Sequence, residues 1–250
     1  MEETKTEEAL HSFTVAEAKD LVDALNVVSE LINEASVKFT NDGLQIKTMD
    51  RANVAMVLFK YKKEGFVEYN CPTEETFGLD LSQLLKILKR IDGKDKLTME
   101  FKDMITMRSS KKKFTAPLLA DLADKSQEPP ALTFKATVKA KGKDISDAIE
   151  DAAVVGESIS LVATKGRFAI TAKGDLNSAE TDVVQTELVV QDESEVVGRY
   201  AIEYLQKMIK GAKISDEVTM RFAKDYPLKM EFNKGNVELG IILAPRVDND

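Results

Sequence analysis

Apolar side chains recur at helical spacing in four stretches of the chain. Intervals of three and four residues predict helices over Val15–Ser29, Asp80–Arg90 and Tyr200–Lys210, and another around Ile145–Ala152. The opposite side of each stretch is polar or charged, which is typical of a helix that lies on a sheet.

The four predicted helices belong to an internal repeat. In both halves a helix is followed by a strand, a short turn and a second strand, with the turns at Asn41–Gly43 and Lys165–Gly166. A second helix follows, and then come Leu97–Phe101 (LTMEF) and Val218–Phe222 (VTMRF), near-copies 121 residues apart. The halves also end alike, with Ala-Pro at position 116 and again at position 244.

This order predicts an α+β fold of two similar domains, each an antiparallel sheet with helices on one face. We expect the domains at residues 12–121 and 132–247. The polar segment 122–131, which contains two adjacent prolines, is predicted to be an extended connecting linker. Residues 1–11 are predicted to be a mobile acidic tail, and residues 248–250 a short acidic C-terminal tail.

Composition removes most catalytic chemistries. His11 is the only histidine, Cys71 is the only cysteine, and the chain has neither a GxxxxGK[ST] nor a GxGxxG motif. These absences predict no cofactor and no histidine-based metal site. A carboxylate-dependent metal hydrolase stays open by count alone, although no acidic cluster has catalytic spacing. The single cysteine favours a reducing compartment, and no apolar run reaches the length of a membrane span.

Basic side chains recur at equivalent places on the second helix of each half. Lys86 and Lys89 lie opposite the leucine stripe, and Lys207, Lys210 and Lys213 repeat the spacing. A solvated helix face explains one such helix best, but its recurrence makes a phosphate-contacting surface an equal alternative. The net charge of −8 argues against attraction of the whole molecule to nucleic acid.

Two further segments carry opposite charges. Ile105–Thr115 is basic, whereas Ala179–Glu193 is acidic and includes Asp192 and Glu193. If both are edge strands, the basic edge of one copy could meet the acidic edge of another in a head-to-tail contact, and such contacts close into rings. Unrelated surface charge is the equal alternative.

Several short motifs resemble those of the proliferating cell nuclear antigen family, in its archaeal form. They are Leu31–Ala35, Asp42–Leu44, Thr48–Val54, Leu85–Arg90, Tyr204–Leu205, Asp216–Thr219 and Leu243–Val247, and the similarity runs from about Phe13 onwards. The resemblance implies a non-catalytic DNA sliding clamp, in which three subunits form a pseudo-six-fold ring around duplex DNA. It implies as partners a clamp loader and, through short PIP-box peptides, DNA polymerase, flap endonuclease and DNA ligase. The compartment it implies is the archaeal cytoplasm, or the nucleus in a eukaryote.

The resemblance also implies three sets of site residues. The DNA-facing residues are Lys19, Lys86, Lys89, Lys207, Lys210 and Lys213. The partner-peptide pocket comprises Met49, Asn53, Val54, Met56, Pro129, Pro227, Ile242, Ala244 and Pro245. For the subunit interface it implies Arg90, Lys112, Asp147 and Asp151, and the two charged segments add Arg108, Lys111, Glu180 and Asp182, while Glu150 stays unassigned.

Three alternatives stay open at this point. The protein could be a checkpoint-type clamp with the same fold, or a monomeric interaction module without a DNA role. The ring could be built from one chain or from paralogues. Without the resemblance, Met49, Met56 and Ile242 would be taken as ordinary core residues.

Overall fold

The structure is a computed structural model that describes residues 10–122, 128–191 and 195–246. The elements of the first half are β1 (His11–Val15), α1 (Lys19–Ser29), β2 (Glu34–Thr40), β3 (Gly43–Met49), β4 (Ala55–Lys62), β5 (Glu68–Asn70), β6 (Glu75–Asp80), α2 (Leu81–Leu88), β7 (Leu97–Phe101), β8 (Met104–Ser109) and β9 (Lys112–Pro117). A short 3₁₀ turn, Ala120–Leu122, follows β9.

The second half has the same order of elements. They are β10 (Ala136–Lys141), α3 (Gly142–Ala153), β11 (Ser158–Thr164), β12 (Arg167–Lys173), β13 (Ser178–Asp182), β14 (Gln185–Val190), β15 (Val196–Ala201), α4 (Ile202–Met208), β16 (Glu217–Phe222), β17 (Leu228–Lys234) and β18 (Val237–Leu243). A 3₁₀ turn, Ile209–Lys213, extends α4.

The strand pairings confirm the repeat. Strand β1 pairs with β5 and β7, and its counterpart β10 pairs with β14 and β16. Strand β2 pairs with β3 and β6 as β11 pairs with β12 and β15, and all these pairings are antiparallel. The predicted α+β fold of two similar antiparallel domains is therefore correct.

One pairing joins the two halves and was not predicted. Strand β18 pairs with β4 along its whole length, from Val237 opposite Tyr61 to Leu243 opposite Ala55. This pairing creates a nine-stranded sheet, with five- and four-stranded sheets on either side of it. Because seven backbone positions pair across the junction, we expect the two halves to move as one body.

All four helices lie in one row on one side of the sheets. Helix α1 packs against α2 and against the 3₁₀ turn after α4, while α4 packs against α3. In α2 the predicted stripe Leu81, Leu84, Leu85 and Leu88 is fully buried. Asp80 caps this helix by accepting a hydrogen bond from the Gln83 N–H at 2.9 Å.

The boundaries of two helices differ from the prediction. Val15 ends strand β1 and α1 begins only at Lys19, while Tyr200 belongs to β15 and precedes α4. In both places a buried strand precedes a helix closely, since three residues separate β1 from α1 and β15 runs directly into α4. The apolar residues of the strand therefore extended the helical pattern artificially.

The placement of His11 in a mobile tail was wrong. His11 begins β1 and only 1% of it is exposed. Its ring packs edge-on against Phe39 and Phe77, and its Nε2 lies 2.7 Å from the Thr73 carbonyl oxygen. Aromatic contacts from distant strands therefore hold the start of the fold in place.

Some predicted features lie outside the described residues. They are most of the N-terminal tail (1–9), the middle of the linker (123–127), Asp192 and Glu193, and the segment 247–250.

Candidate functional site

All six lysines predicted to face DNA lie on the helices of the row or directly after them, with Lys19 at the start of α1. Lys86, Lys89 and Lys213 are exposed and form no ion pair within the described ranges. Lys86 lies on α2, Lys89 directly follows it, and Lys213 ends the 3₁₀ turn after α4. Their charges are therefore available to an external anion.

The other three candidate lysines have acidic neighbours. Lys19 lies 2.6 Å from Asp23, whose hydrogen bond raises the lysine pKa. Lys207 lies 2.7 Å from Glu203. The pair of Lys210 with Glu30, at 2.7 Å, is different because it connects the two halves across the helix row. Exposed pairs of this kind contribute about 0–1 kcal/mol, so a phosphate could replace the carboxylates at little cost.

Helix α3 is the exception in the row because its exposed face is mainly acidic. It exposes Asp147, Glu150 and Asp151 and packs against strand β13. Asp147 pairs with Lys143, and Asp151 Oδ2 lies 3.5 Å from the Thr181 hydroxyl on β13. Asp151 therefore adjoins the sheet edge at β13, whereas Asp147 and Glu150 line a groove that also contains Lys210 and Lys213 of the neighbouring turn.

The predicted charged segments are each two strands rather than one. Ile105–Thr115 spans most of the β8–β9 hairpin, and only β9 is an edge. Ala179–Glu193 contains β13 and β14, which are edges of two different sheets. The edge prediction is correct for β9, β13 and β14, but a hairpin turn interrupts the first segment and a connection between two sheets interrupts the second.

The edge at β9 is basic and the edge at β13 is acidic. Lys112 donates a hydrogen bond to the Arg90 carbonyl oxygen, which brings two of the predicted interface residues together. Lys111 and Lys113 flank Lys112 on the surface. Arg108 lies one strand inward and pairs with Glu100 at 3.2 Å.

Arg167 organises the acidic edge, although the sequence did not point to it. Its guanidinium binds Glu180 and also Asp182, the latter at 2.7 Å. These two hydrogen bonds raise the pKa of Arg167. Glu180 and Asp182 are thus held in place and partly neutralised before any second molecule arrives.

Three predicted pocket residues form one row across the joined sheet. Met49 on β3 lies opposite Met56 on β4, which lies opposite Ile242 on β18. Residues that are directly opposite share a face, and this face is turned away from the helices. Met56 and Ile242 are 4% and 7% exposed, yet neither belongs to the hydrophobic core cluster. Both are therefore largely buried, and Met49 is the partly exposed member of the row.

The loop between β3 and β4 completes this surface together with the segment after β18. Val54 accepts a backbone hydrogen bond from Ala244 at 2.9 Å, which joins predicted pocket residues from the two halves. Asn53 has a φ of 56°, in the left-handed region that asparagine tolerates better than most residues. Pro245 is half-buried beyond Ala244, and Pro227 immediately precedes β17, the neighbour of β18.

The end of the linker crosses the same outer face. Pro129 lines a groove of about 380 Å³ beside the methionine row, and its floor is formed by β3, β4, β17 and β18. Glu128 pairs with Lys47 at 2.9 Å and ties the linker to β3. Pro129 is the one predicted pocket residue among those that line this groove, so its place in the pocket stays a prediction.

Asp50 and Tyr204 are functional candidates that the sequence analysis missed. The Tyr204 hydroxyl donates a 2.6 Å hydrogen bond to Asp50 Oδ2 across 154 positions of chain. Burial, followed by this hydrogen bond, raises the pKa of Tyr204 to about 12. Burial opposes ionisation of Asp50, but hydrogen bonds from Ala55, Tyr204 and Val54 hold its pKa below the ordinary value.

Two classes of site are absent from the described part of the chain. Within residues 10–122, 128–191 and 195–246, no three His, Cys, Asp or Glu side chains converge in a geometry that could hold a metal ion. No helix there has the length and apolar character needed to span a bilayer.

Family comparison assigns both halves to one family. Residues 12–114 match the N-terminal domain of proliferating cell nuclear antigen, and residues 129–247 match its C-terminal domain. The "DNA polymerase sliding clamp" of Thermococcus fumicolans is 32% identical over 241 residues, which cover 93% of this chain and 96% of the relative. That of Pyrococcus furiosus is 31% identical over 245 residues, with coverage of 92% and 96%.

Solved structures have the same fold. The structure described as the C-terminal region of FEN-1 bound to A. fulgidus PCNA superposes with a TM-score of 0.86 at 24% identity, over 96% of this chain and 100% of that one. A PCNA2–PCNA3 complex from Sulfolobus tokodaii gives a TM-score of 0.84 at 25% identity, over 95% and 100%.

Proposed function

Because this chain belongs to the proliferating cell nuclear antigen family, we propose that it is a DNA sliding clamp subunit of the archaeal type. It encircles duplex DNA as part of a three-subunit ring and tethers DNA polymerase and other replication and repair enzymes. The observation that carries the proposal is the pair of edge strands β9 and β13, which end two different sheets and carry opposite charge.

The internal repeat predicts how these edges meet. Strand β9 is the counterpart of β18, because each is the last strand of its half, and β13 is the counterpart of β4. Within the chain β18 pairs with β4, so in an assembly β9 of one subunit pairs with β13 of the next. The contact repeats head to tail, and every subunit junction reproduces the junction within the subunit. Three chains of two domains then give a pseudo-six-fold ring.

The repeat also predicts the register of this contact. Within the chain, Gly240 pairs with Leu58 and Glu238 pairs with Lys60. Their counterparts between subunits would be Lys113 opposite Glu180 and Lys111 opposite Asp182. Both predicted pairs join opposite charges. A register displaced by one residue would separate them, so charge complementarity supports this alignment.

The residues on the helix-facing side of the proposed β9–β13 contact are also complementary. Lys112 falls opposite Thr181, whose hydroxyl lies 3.5 Å from Asp151. Phe114 is the counterpart of Ile241, which is fully buried, and we propose that the neighbouring subunit covers Phe114 in the same way. Arg90 joins Lys112 in facing the acids of α3, Asp147 and Asp151, whereas Arg108 lies at the margin.

The helix row lines the bore of the proposed ring. Lys86, Lys89 and Lys213 offer free ammonium groups to phosphates, and Lys19, Lys207 and Lys210 add charges that their carboxylates hold loosely. Lysines contact phosphates without reading bases, so the ring binds without sequence preference and slides. Retention depends on ring closure, and the clamp itself catalyses no reaction.

The outer face carries the partner pocket. Met49, Met56 and Ile242 form an apolar floor, and Asn53–Val54, Pro129, Pro227 and Ala244–Pro245 form its rim. Methionine adapts to different side chains, which suits a site for the aromatic anchor of several peptides. We propose that DNA polymerase, flap endonuclease and DNA ligase bind here through PIP-box peptides, in the archaeal cytoplasm, after a clamp loader has opened the ring.

Two measurements on the purified protein test this proposal. Multi-angle light scattering should give the mass of a trimer, and a replicative polymerase should extend primed circular DNA further when clamp and loader are added. A monomer at every usable concentration would overturn a ring of identical chains, and mixing with paralogous chains would then test a heterotrimer. Failure of both assemblies to stimulate a polymerase would overturn the clamp function itself.

A further inference from the structure

The loop that carries Asn53 and Val54 is held by one carboxylate. Asp50 Oδ1 accepts the Val54 and Ala55 N–H groups at 2.7 and 2.9 Å. The backbone closes the same loop, since the Asp50 N–H donates to the Ala55 carbonyl at 2.8 Å and the Asn53 N–H donates to the Asp50 carbonyl at 3.0 Å. The position of the pocket rim therefore follows the position of Asp50.

The orientation of Asp50 is fixed from the opposite half of the molecule. Its second oxygen, Oδ2, accepts the Tyr204 hydroxyl at 2.6 Å, and Tyr204 lies on α4. Because the phenol donates to an ionised carboxylate, this hydrogen bond belongs to the stronger class. Tyr204 is half-buried and packs against the hydrophobic core, so its ring is a fixed support.

The geometry points to Asp50 and Tyr204 as a positioning pair for the partner-peptide pocket. Neither residue needs to touch the peptide. The pair holds the rim loop in its binding-competent form before the peptide arrives, which lowers the entropy lost on binding. The left-handed φ of Asn53, 56°, adds to the need for such restraint. This inference rests on the pocket assigned under the proposed function.

Tyr204→Phe is the sharpest test, because it removes one oxygen atom and keeps the ring. We expect calorimetry to give a Kd about 3- to 10-fold higher for a synthetic peptide with a glutamine and an aromatic anchor. This is less than the full contribution of one charge-assisted hydrogen bond, because the bond orders the rim loop and does not contact the peptide. The matched control is Tyr69→Phe. Tyr69 donates a comparable hydrogen bond, 2.9 Å long, to the Thr40 carbonyl, with no connection to the rim loop.

A double-mutant cycle separates positioning from general destabilisation. Asp50→Asn keeps an oxygen for the backbone N–H groups but lacks the negative charge. In that background, Tyr204→Phe should change the peptide Kd less than two-fold, because the charge-assisted bond is already gone. The thermal midpoint and trimer mass are measured for each variant, and Tyr204 ionisation is followed by ultraviolet absorbance. In Asp50→Asn, the Tyr204 pKa should fall from about 12.

Each outcome has a distinct meaning. Weaker peptide binding in Tyr204→Phe, with Tyr69→Phe unchanged and a non-additive cycle, supports the positioning pair. An unchanged Kd in Tyr204→Phe overturns it while the clamp function stands, and so do equal losses in Tyr204→Phe and Tyr69→Phe. If the unaltered protein does not bind the peptide, the proposed pocket fails and the inference fails with it.

Discussion

The inner side of the proposed subunit contact gives a quantitative prediction for Lys112→Glu. In the register set by the repeat, Lys112 faces Thr181 and the adjacent Asp151 of the next subunit. The Asp151 carboxylate forms no ion pair with any residue the structure describes, so Lys112 is its proposed counter-charge. Reversal replaces this attraction with a repulsion.

The size of the effect follows from the exposure of both groups. An exposed ion pair contributes about 0.2–1 kcal/mol, and a reversal approximately doubles that difference. We therefore expect a loss of about 0.5–2 kcal/mol at each junction, which corresponds to a roughly 2- to 30-fold higher dissociation constant. Lys113→Glu should have a smaller effect, because Arg167 already neutralises much of the charge on its proposed partner Glu180.

Sedimentation velocity over a range of concentrations measures these constants. At low ionic strength Lys112→Glu should dissociate at higher concentration than the unaltered protein, and in about 1 M salt the difference should nearly vanish. Lys112→Glu combined with Asp151→Lys should restore assembly. The control is Lys234→Glu, which makes the same change in net charge in the exposed β17–β18 hairpin.

Two results would refute this reasoning. An unchanged dissociation constant at low salt would exclude Lys112 from the contact. A loss that persists in high salt and is not restored by Asp151→Lys would indicate a packing defect rather than a charge contact.

Three further predictions concern the bore, the pocket and pH. Replacing Lys86, Lys89 and Lys210 with Glu should leave the trimer mass unchanged but reduce the processivity of the polymerase. The slope of log K for DNA binding against log salt concentration should become shallower by up to about 0.9 per lost phosphate contact. An unchanged processivity and slope would exclude these lysines from the bore. Pro245→Asp should abolish peptide capture in calorimetry by placing a charge on the apolar rim, and normal affinity would remove Pro245 from the pocket. The pKa of Asp50 is lowered in the folded state, so its stabilising effect is present above its unfolded pKa of about 3.9 and is lost as the pH falls through the folded value. The unaltered protein should therefore unfold at higher denaturant than Asp50→Asn at neutral pH, with a gap that narrows below about pH 4; a pH-independent gap would contradict this.

The sequence predicted the elements better than their long-range contacts. The stripe Leu81–Leu88 and the near-copies at 97 and 218 are local patterns, and each is confirmed as a helix or a strand. The pairing of β18 with β4 was not predictable in the same way. Both strands have buried faces, but nothing local selects their partner.

His11 illustrates the same limit. The segment His11–Val15 alternates polar and apolar residues as a strand does, but it directly follows an acidic run that suggested a tail. The contacts that bury it come from Phe39, Phe77 and Thr73, far along the chain.

The candidate site residues also divide into those that a local sequence pattern reveals and those whose role depends on a distant contact. The charged edges could be proposed from composition, because a lysine run and an acid-rich segment are visible locally. Arg167 could not, since its role depends on a cross-strand position beside Glu180 and Asp182. Tyr204 lies within a predicted helix, and helical spacing alone does not show that its hydroxyl reaches Asp50 in the other half.

The acidic face of α3 connects ring closure with DNA contact and yields a final prediction. In a single subunit, Asp147 and Asp151 lie at the end of the helix row, where they repel phosphate. In the proposed ring, Arg90 and Lys112 of the neighbour neutralise them. DNA in the bore should then favour the closed ring, because opening exposes these acids beside the duplex. Circular duplex should therefore slow subunit exchange, measured by fluorescence transfer between labelled rings, and should do so less for Asp147→Asn combined with Asp151→Asn. An equal effect of DNA on both proteins would show that topology alone retains the ring and that the acids of α3 act only between subunits.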